Sequence, residues 1–187
     1  MLEIRWHSRA GQGAVTGAKG LGSVIAKTGK QVQAFAFYGS AKRGASMTAY
    51  NRIDDQPILN HEKYMRPDYV LIIDPGLAFT DNITANEKET TKYIITTHLS
   101  KEELIPLIPA LKGREDRVFV VDCITIATET IGRPIPNTPM LGALMKVDGM
   151  FDIEYFKEAM QKELKKLPQK VKDANMIAIQ RAYDEVR

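Results

Sequence analysis

Hydrophobic positions in the first third of the chain change from alternation to helical spacing and back again. Leu2 to His7 alternates apolar and polar residues, which predicts a strand. Ala14 to Thr28 carries apolar residues at helical spacing and stops at Gly29, which predicts a helix. Val32 to Phe37 and Ser46 to Ile53 then predict two further strands with a loop between them.

Three uninterrupted apolar runs follow, at Tyr69–Ile73, Tyr93–Thr96 and Val118–Val121. Runs of this kind are typical of parallel strands that helices cover on both faces. Between the last two runs, Ser100 and Glu103 have the spacing of a capping box, and we expect the helix that begins there to run towards Leu111.

Beyond Cys123 the pattern is helical. It predicts helices to Ile131, from Thr138 to Lys146 with Asn137 or Thr138 as the N-cap, from Asp152 to Lys166 and from Gln169 to Val186. No linker divides the 187 residues, so they are expected to form one domain, 1–187.

The predicted fold class is α/β: a single three-layer α/β/α domain with a helical C-terminal region. We expect the sheet to be mostly parallel. The short run Ser46 to Ile53 could pair antiparallel, which would make the sheet mixed.

Charge and composition exclude several classes of protein. Lys and Arg number 26 against 23 Asp and Glu, a net charge of +3, which is too small an excess to indicate a nucleic-acid partner. No basic leader with an apolar core and no apolar run of about 18 residues is present, so we expect a soluble cytoplasmic protein with no membrane partner.

The cysteine and histidine content restricts metal chemistry. Cys123 is the only cysteine, so this chain alone cannot form an iron–sulfur cluster or an all-cysteine zinc site, and a redox metal would have to lie on another subunit. The three histidines show no metal-ligand spacing. A lone buried cysteine is more often a packing group than a nucleophile, and no catalytic residue or metal ligand can be assigned.

Glycines follow the first strand, where the chain enters the first helix. Gly11, Gln12 and Gly13 would place backbone N–H groups and a helix N-terminus where an anion can bind. Thr16 occupies the third glycine position of the dinucleotide fingerprint, and no acidic residue follows the second strand, so a free-standing NAD site is disfavoured. A tight turn without a ligand and a site for a phosphate-bearing ligand both stay open.

A second candidate loop runs from Tyr38 to Gly44, directly after a strand, where α/β proteins commonly bind ligands. Its Arg43 could bind a phosphate or carboxylate through two parallel hydrogen bonds. The alternative is a solvated loop whose cations face water.

Three blocks of sequence together resemble the gamma subunit of pyruvate (2-oxoacid):ferredoxin or flavodoxin oxidoreductases. They are Ile4–Ala14, then Tyr38–Gly44 with Tyr50–Ile53, and then Asn137–Ala143. Lys172, Asn175, Ala182 and Tyr183 fit the tail of that family, so the resemblance spans the chain. It is closest to pyruvate-specific gamma subunits, with another 2-oxoacid as the alternative.

The resemblance implies a chain that supports catalysis without being a complete enzyme. Thiamine diphosphate, magnesium, iron–sulfur clusters and coenzyme A would belong to the assembly with alpha, beta and delta subunits, and electrons would pass to ferredoxin or flavodoxin. Loops of this chain would border the active-site or coenzyme A entrance. The candidate residues are Arg9, Gly11, Gln12, Gly13, Tyr38, Gly39, Ser40, Arg43, Gly44, Asn137 and Thr138.

Overall fold

The computed structural model describes residues 1–39, 44–60, 62 and 65–187. The elements in chain order are β1 (Leu2–Arg9), α1 (Ala14–Ala26), β2 (Gln31–Tyr38), β3 (Ser46–Asp54), β4 (Tyr69–Ile72), α2 (Leu77–Thr80), β5 (Lys92–Thr96), α3 (Lys101–Leu104), β6 (Val118–Val121), α4 (Cys123–Ile131), α5 (Asn137–Asp148), α6 (Ile153–Glu163) and α7 (Gln169–Glu185). Short 3-10 turns lie between α3 and β6.

The strands form one sheet in the order β2-β3-β1-β4-β5-β6. β1, β4, β5 and β6 pair in parallel, as expected of strands joined by crossovers, whereas β3 is antiparallel to both β1 and β2. The prediction of a mostly parallel sheet is therefore confirmed, and β3 pairs antiparallel as the run Ser46 to Ile53 allowed, which makes the sheet mixed.

Apolar side chains cover both faces of the sheet, because successive residues of a buried strand point to opposite sides. On one face, Trp6, Leu71 and Ile94 belong to a core that packs under the long helices α1, α4, α5, α6 and α7. On the other, Val70 and Ile72 pack with residues of the short helices and 3-10 turns. This arrangement confirms the three-layer α/β/α architecture.

The layer of short helices and 3-10 turns covers β4, β5 and β6. On the same face of the sheet, β1 carries polar residues. We call Glu3, Arg5, His7 and Arg9 the polar row of β1. Arg5 and His7 are buried. Burial of polar groups is costly unless they form hydrogen bonds, so the partners of this row decide whether the strand is stable there.

Glu3 forms an ion pair with the buried Arg52 of β3, with Arg52 Nε donating to Glu3 Oε1 at 3.0 Å. The other Glu3 oxygen accepts from the backbone N–H of Arg66 at 2.9 Å. Arg52 also donates to the carbonyls of Asn60 and Glu62, at 3.0 and 2.6 Å. The pair therefore holds the connection between β3 and β4 against the sheet.

Arg5 binds the loop that follows α2. Its Nη2 and Nη1 donate to the carbonyls of Ile83 at 2.7 Å and Ala85 at 2.8 Å. Because a guanidinium has several donors in a fixed plane, one side chain satisfies two loop carbonyls that would otherwise face the sheet.

The helix predicted to run from Ser100 to Leu111 is shorter than expected. The capping box between Ser100 and Glu103 is present, but α3 ends at Leu104 and two 3-10 turns continue to Leu111. Pro106 and Pro109 have no N–H to donate and their rings clash with the preceding turn, so an α-helix cannot continue there.

The predicted N-cap of α5 was wrong. Pro136 occupies the N-cap position with no side-chain hydrogen bond, and Asn137 is the first residue of the helix. Pro fits the start of a helix because its missing N–H would lack an intrahelical partner in any case. At α6 the helix begins one residue later than predicted, because Asp152 is its N-cap.

No helix in the described ranges is long and apolar enough to span a membrane.

Helix α5 is buried from Thr138 to Met145 and packs against α7. Gly142 allows this close approach, because a Cβ atom there would lie 2.0 Å from the carbonyl oxygen of Ile179. The contact is with backbone, so it cannot be relieved by a change of side-chain rotamer.

We expect Gly142→Ala to destabilise the domain by about 3 kcal/mol, because the added methyl group would force α5 and α7 apart. Urea unfolding monitored by circular dichroism would measure this. Gly20→Ala is the matched control: its added Cβ would meet only the flexible end of Met160 at 3.4 Å. That variant should be neutral or stabilised by up to about 1 kcal/mol. Equal stability of the two variants would contradict the packing argument.

Candidate functional site

Several segments converge at the sheet edge where β1 and β4 end. From β1 the chain continues through α1 to β2 on one side of the sheet, whereas the later strands β4, β5 and β6 lie on the other side of β1. The direction in which strands are added therefore reverses beside β1 and β4. Open α/β sheets commonly bind ligands at such a position. We call this region the edge site; it comprises Arg9, Gly11–Gly13, Gly44, Asp74 and Asn137.

The glycine loop has the backbone conformation that its sequence predicts. Gly11 and Gly13 have φ angles of +100° and +88°, which side-chain-bearing residues rarely adopt. Gly13 is the N-cap of α1 and no side chain caps that helix. The N–H groups of its first turn therefore have no side-chain acceptor within the part of the chain that the structure describes.

Asp74, two residues after the end of β4, organises the loop. One carboxylate oxygen accepts from Gln12 Nε2 at 2.6 Å and pairs with Arg9 Nε at 3.2 Å, while the other accepts from the N–H of Gly76 at 2.9 Å. Gln12 Oε1 in turn accepts from the backbone N–H of Arg9 at 2.8 Å. Arg9 is thereby oriented, although 40% of its side chain stays exposed.

The second candidate loop reaches the same edge. Arg9 Nη1 donates to the carbonyl of Gly44 at 3.1 Å, and the N–H of Ala10 donates to the carbonyl of Ala45 at 3.2 Å. Gly39 lies against the backbone of Ser46, whose carbonyl oxygen would be 3.0 Å from an added Cβ. The base of the β2–β3 hairpin is therefore joined to the glycine loop.

Tyr38, at the end of β2, exposes 64% of its surface. Ser40 and Arg43 lie outside the described residues, as do the neighbouring Ala41 and Lys42.

Asn137 connects α5 to the glycine loop. Its Nδ2 donates to the carbonyl of Gly13 at 3.2 Å and its Oδ1 accepts from the N–H of Thr138 at 2.9 Å. An added Cβ on Gly13 would lie 2.6 Å from Asn137 Nδ2, so glycine is required by this contact as well as by its φ angle. Thr138 is buried beside Asn137 and does not face solvent.

A partly buried chain of polar side chains, His7, Asp81 and Ser46, lies next to the edge site. His7 Nδ1 is 2.8 Å from Asp81 Oδ2, and that carboxylate also accepts from Ser46 Oγ at 3.0 Å. Nε2 of His7 is buried and has no hydrogen-bond partner among the described residues. Burial lowers the pKa of His7, although the bond to Asp81 opposes that effect. The same bond lowers the pKa of Asp81.

The structure thus brings Arg9, Gln12, Gly13, Gly44 and Asn137 together. Sequence reasoning missed Asp74, Asp81 and Ser46. The position of Asp74 after a parallel strand was a usable signal, because strand ends share one edge of the sheet. Nothing in the sequence indicates that Asp81 meets His7 and Ser46, since the contact depends on the sheet order.

Redox-cluster chemistry does not fit the residues of this chain. Cys123, the single cysteine, is fully buried, and burial raises the pKa of its thiol to about 12, so it is neither accessible nor a thiolate. Within the described ranges, no group of three or more His, Cys, Asp and Glu residues could hold a metal ion.

The fold and the edge site define an α/β domain of the doubly wound type, with a glycine loop and a partly exposed arginine at the edge where β1 and β4 end. A family model described as pyruvate ferredoxin/flavodoxin oxidoreductase matches residues 3–185. The chain therefore belongs to the pyruvate ferredoxin/flavodoxin oxidoreductase family. Within that family it is a gamma subunit of a pyruvate:ferredoxin oxidoreductase, as its relatives show.

Two relatives support this assignment by sequence. The pyruvate synthase subunit PorC of Thermotoga maritima is 40% identical over 187 residues, covering 100% of this chain and 95% of the relative. The pyruvate/ketoisovalerate oxidoreductases common subunit gamma of Thermococcus kodakarensis is 44% identical over 161 residues, covering 86% and 85%.

Solved structures support the same fold. The crystal structure of the Thermotoga maritima pyruvate oxidoreductase subunit matches with a TM-score of 0.81 and 38% identity, over 100% of this chain and 97% of that one. A 2-oxoglutarate:ferredoxin oxidoreductase from Magnetococcus marinus, with 2-oxoglutarate, coenzyme A and succinyl-CoA bound, matches with a TM-score of 0.74. Its identity is 17%, over 98% of this chain and 30% of that one, so it shows the fold alone.

We expect stability to depend on pH through His7. Its folded-state pKa is lowered, chiefly by burial, so the unfolded chain binds a proton first as the pH falls. The stabilisation is complete above about pH 6.5 and is lost as the pH falls below that value. Between pH 7 and pH 5.5 the free energy of unfolding should fall by about 1 kcal/mol more in the wild type than in His7→Gln. Urea unfolding at each pH measures this.

His98→Gln is the control for the loss of a histidine, because that side chain is exposed. If His7→Gln keeps the full pH dependence of the wild type, the buried imidazole is not its source.

Proposed function

We propose that the chain is a non-autonomous gamma subunit whose edge site borders the coenzyme A entrance of the assembled pyruvate:ferredoxin oxidoreductase. The observation that carries this proposal is that two distant segments of the chain hold the Arg9 guanidinium, namely the Asp74 segment after β4 and the base of the β2–β3 hairpin. The guanidinium is oriented by Asp74 and by the Gly44 carbonyl and is still 40% exposed. An oriented, accessible guanidinium is suited to phosphate or carboxylate groups.

The glycine loop adds to this polarity. The N-terminus of α1 is uncapped by side chains, and the first residue of α5, Asn137, contacts it. Helix N-termini carry partial positive charge, so two of them at one point favour an anionic group. Coenzyme A carries several phosphates and enters the reaction of this family as the acyl acceptor, which makes it the ligand of choice for a test.

Catalysis itself belongs to the other subunits under this proposal. Alpha, beta and delta subunits would supply thiamine diphosphate, magnesium and the iron–sulfur clusters, and ferredoxin or flavodoxin would take the electrons. This chain would enclose the reactants and orient them, which contributes to the reaction rate through positioning. Large apolar side chains on its surface, including Phe37, Leu59 and Phe79, are consistent with contacts to such partners.

A 2-oxoacid other than pyruvate is the second candidate. The relative from Thermococcus kodakarensis is named as a subunit common to pyruvate and ketoisovalerate oxidoreductases. A gamma chain that serves two enzymes cannot be what selects between their substrates. We therefore assign the choice of 2-oxoacid to the other chains, and the edge site to a component that such enzymes share.

In the purified complex, we expect Arg9→Lys to raise the KM for coenzyme A about tenfold, equivalent to about 1.4 kcal/mol. Lysine keeps the charge but lacks the planar guanidinium, whose separate nitrogens contact Asp74 and the Gly44 carbonyl and leave Nη2 for a ligand. Steady-state kinetics with pyruvate saturating would measure this. The control is Arg181→Lys on α7, which alters exposed ion pairs with Glu129 and Glu185 away from the edge site.

An unchanged KM for coenzyme A in Arg9→Lys, in a complex of normal subunit content, would refute the proposed ligand. A complex that fails to retain the gamma chain would instead assign Arg9 to a subunit interface.

The isolated chain should be colourless, bind no stoichiometric iron or thiamine diphosphate, and not oxidise pyruvate. Its single buried cysteine cannot ligate a cluster. Metal analysis, visible absorption and a dye-reduction assay on the purified chain test this. Iron–sulfur absorption at one cluster per chain would show that it is wrong.

A further inference from the structure

Asp81 connects the two strands that carry the candidate loops. Its carboxylate contacts His7 of β1 at 2.8 Å and Ser46, the first residue of β3, at 3.0 and 3.2 Å. Ser46 is paired with Arg9 in the β1–β3 register. The carboxylate therefore lies beneath the point where the hairpin meets Arg9.

Asp81 is itself fixed from both directions along the chain. Its N–H donates to the carbonyl of Leu77 in α2 at 2.9 Å. Two residues further on, the carbonyl of Ile83 accepts from the buried guanidinium of Arg5 at 2.7 Å. A carboxylate held in this way can act as a fixed reference for a more exposed loop.

Among the described residues, the His7 side chain has one hydrogen-bond partner, Asp81. Nε2 of His7 is buried without a partner among the described residues, so the imidazole makes its side-chain hydrogen bond through Nδ1. Asp81 has no N–H or O–H when ionised, so Nδ1 is the donor. The ring is thereby locked, and the carboxylate that locks it is the one that holds Ser46.

Asp74 and Asp81, seven residues apart in sequence, thus act on the edge site from one segment. Asp74 holds Arg9 and Gln12, whereas Asp81 holds His7 and Ser46. The segment between them contains the short helix α2. Arg9 is therefore oriented directly by Asp74, and Ser46 lies two residues after Gly44, whose carbonyl Arg9 contacts.

We propose that Asp81 is a positioning residue for ligand binding at the edge site, acting through Ser46 on the base of the β2–β3 hairpin. This inference rests on the proposed function of that site. Asp81 does not touch the ligand; it sets the distance between the Gly44 carbonyl and Arg9. Without the hydrogen bonds of Asp81, Arg9 would stay charged and exposed, but its contact with the Gly44 carbonyl would be less well aligned.

The test uses the purified complex with gamma-chain variants. Asp81→Ala removes both hydrogen bonds and should raise the KM for coenzyme A about tenfold, and Ser46→Ala, which removes one, about threefold. Asp81→Asn has nearly the same shape and can still hydrogen-bond, so it should stay within threefold of the wild type. In all three, kcat and the KM for pyruvate should change less than twofold.

A merely structural role would give a different result. A less stable or less complete complex would lower kcat through loss of active enzyme and would leave both KM values unchanged. Asp55→Asn is the matched control, because this exposed carboxylate pairs with Lys30 at the opposite edge of the sheet. It should match the wild type in every constant.

The outcomes separate this inference from the proposed function. If Arg9→Lys raises the KM for coenzyme A but Asp81→Ala and Ser46→Ala do not, the site stands and the role of Asp81 is wrong. If none of the three raises it, the proposed function fails and the inference with it. Should Asp81→Ala fail to assemble, Ser46→Ala alone decides, and an unchanged KM there overturns the proposal.

Discussion

The polar row of β1 is the constraint on which the rest of this structure depends. β1 lies between β3 and β4 in the middle of the sheet, yet one of its faces carries Glu3, Arg5, His7 and Arg9. In the described part of the chain no long helix covers that face, so these side chains bind loops instead: Glu3 binds the β3–β4 connection, Arg5 and His7 bind the segment after α2, and Arg9 binds Asp74 and Gly44. Buried polar groups without partners are costly. These contacts therefore hold the side chains of the row and their partner segments in fixed positions relative to each other.

This arrangement explains why the site lies where it does. The row begins with an ion pair at the start of β1 and ends with Arg9 at the edge where ligands bind in α/β proteins. The apolar face of the same strand packs Trp6 under α1. β1 therefore contacts the hydrophobic core with one face and carries Arg9 of the edge site on the other. The orientation of Arg9 depends in this way on how the sheet is packed.

The elements of the fold were largely predictable from the sequence, because apolar periodicity is a local property. β6 and α4 matched their predicted bounds, and the errors occurred where a local rule competed with another: prolines ended α3 early, and Pro136 displaced Asn137 as N-cap. Of the site, the glycine loop was predictable from its glycines. Asp74 and Asp81 were not assigned, since Gln12 lies 62 residues from Asp74 and His7 lies 74 residues from Asp81 in sequence, and these residues meet only through the strand order.

The close contact between Gly142 and α7 has a consequence for genetics. The block Asn137–Ala143 contains one residue that touches the glycine loop and one that only lets two helices meet. In a growth selection for enzyme activity, damaging alleles at Asn137 and Gly142 would look alike, although one alters the edge site and the other lowers the amount of folded protein. Measuring cellular abundance beside growth would divide such alleles into two groups, and would show that part of a family signature records packing.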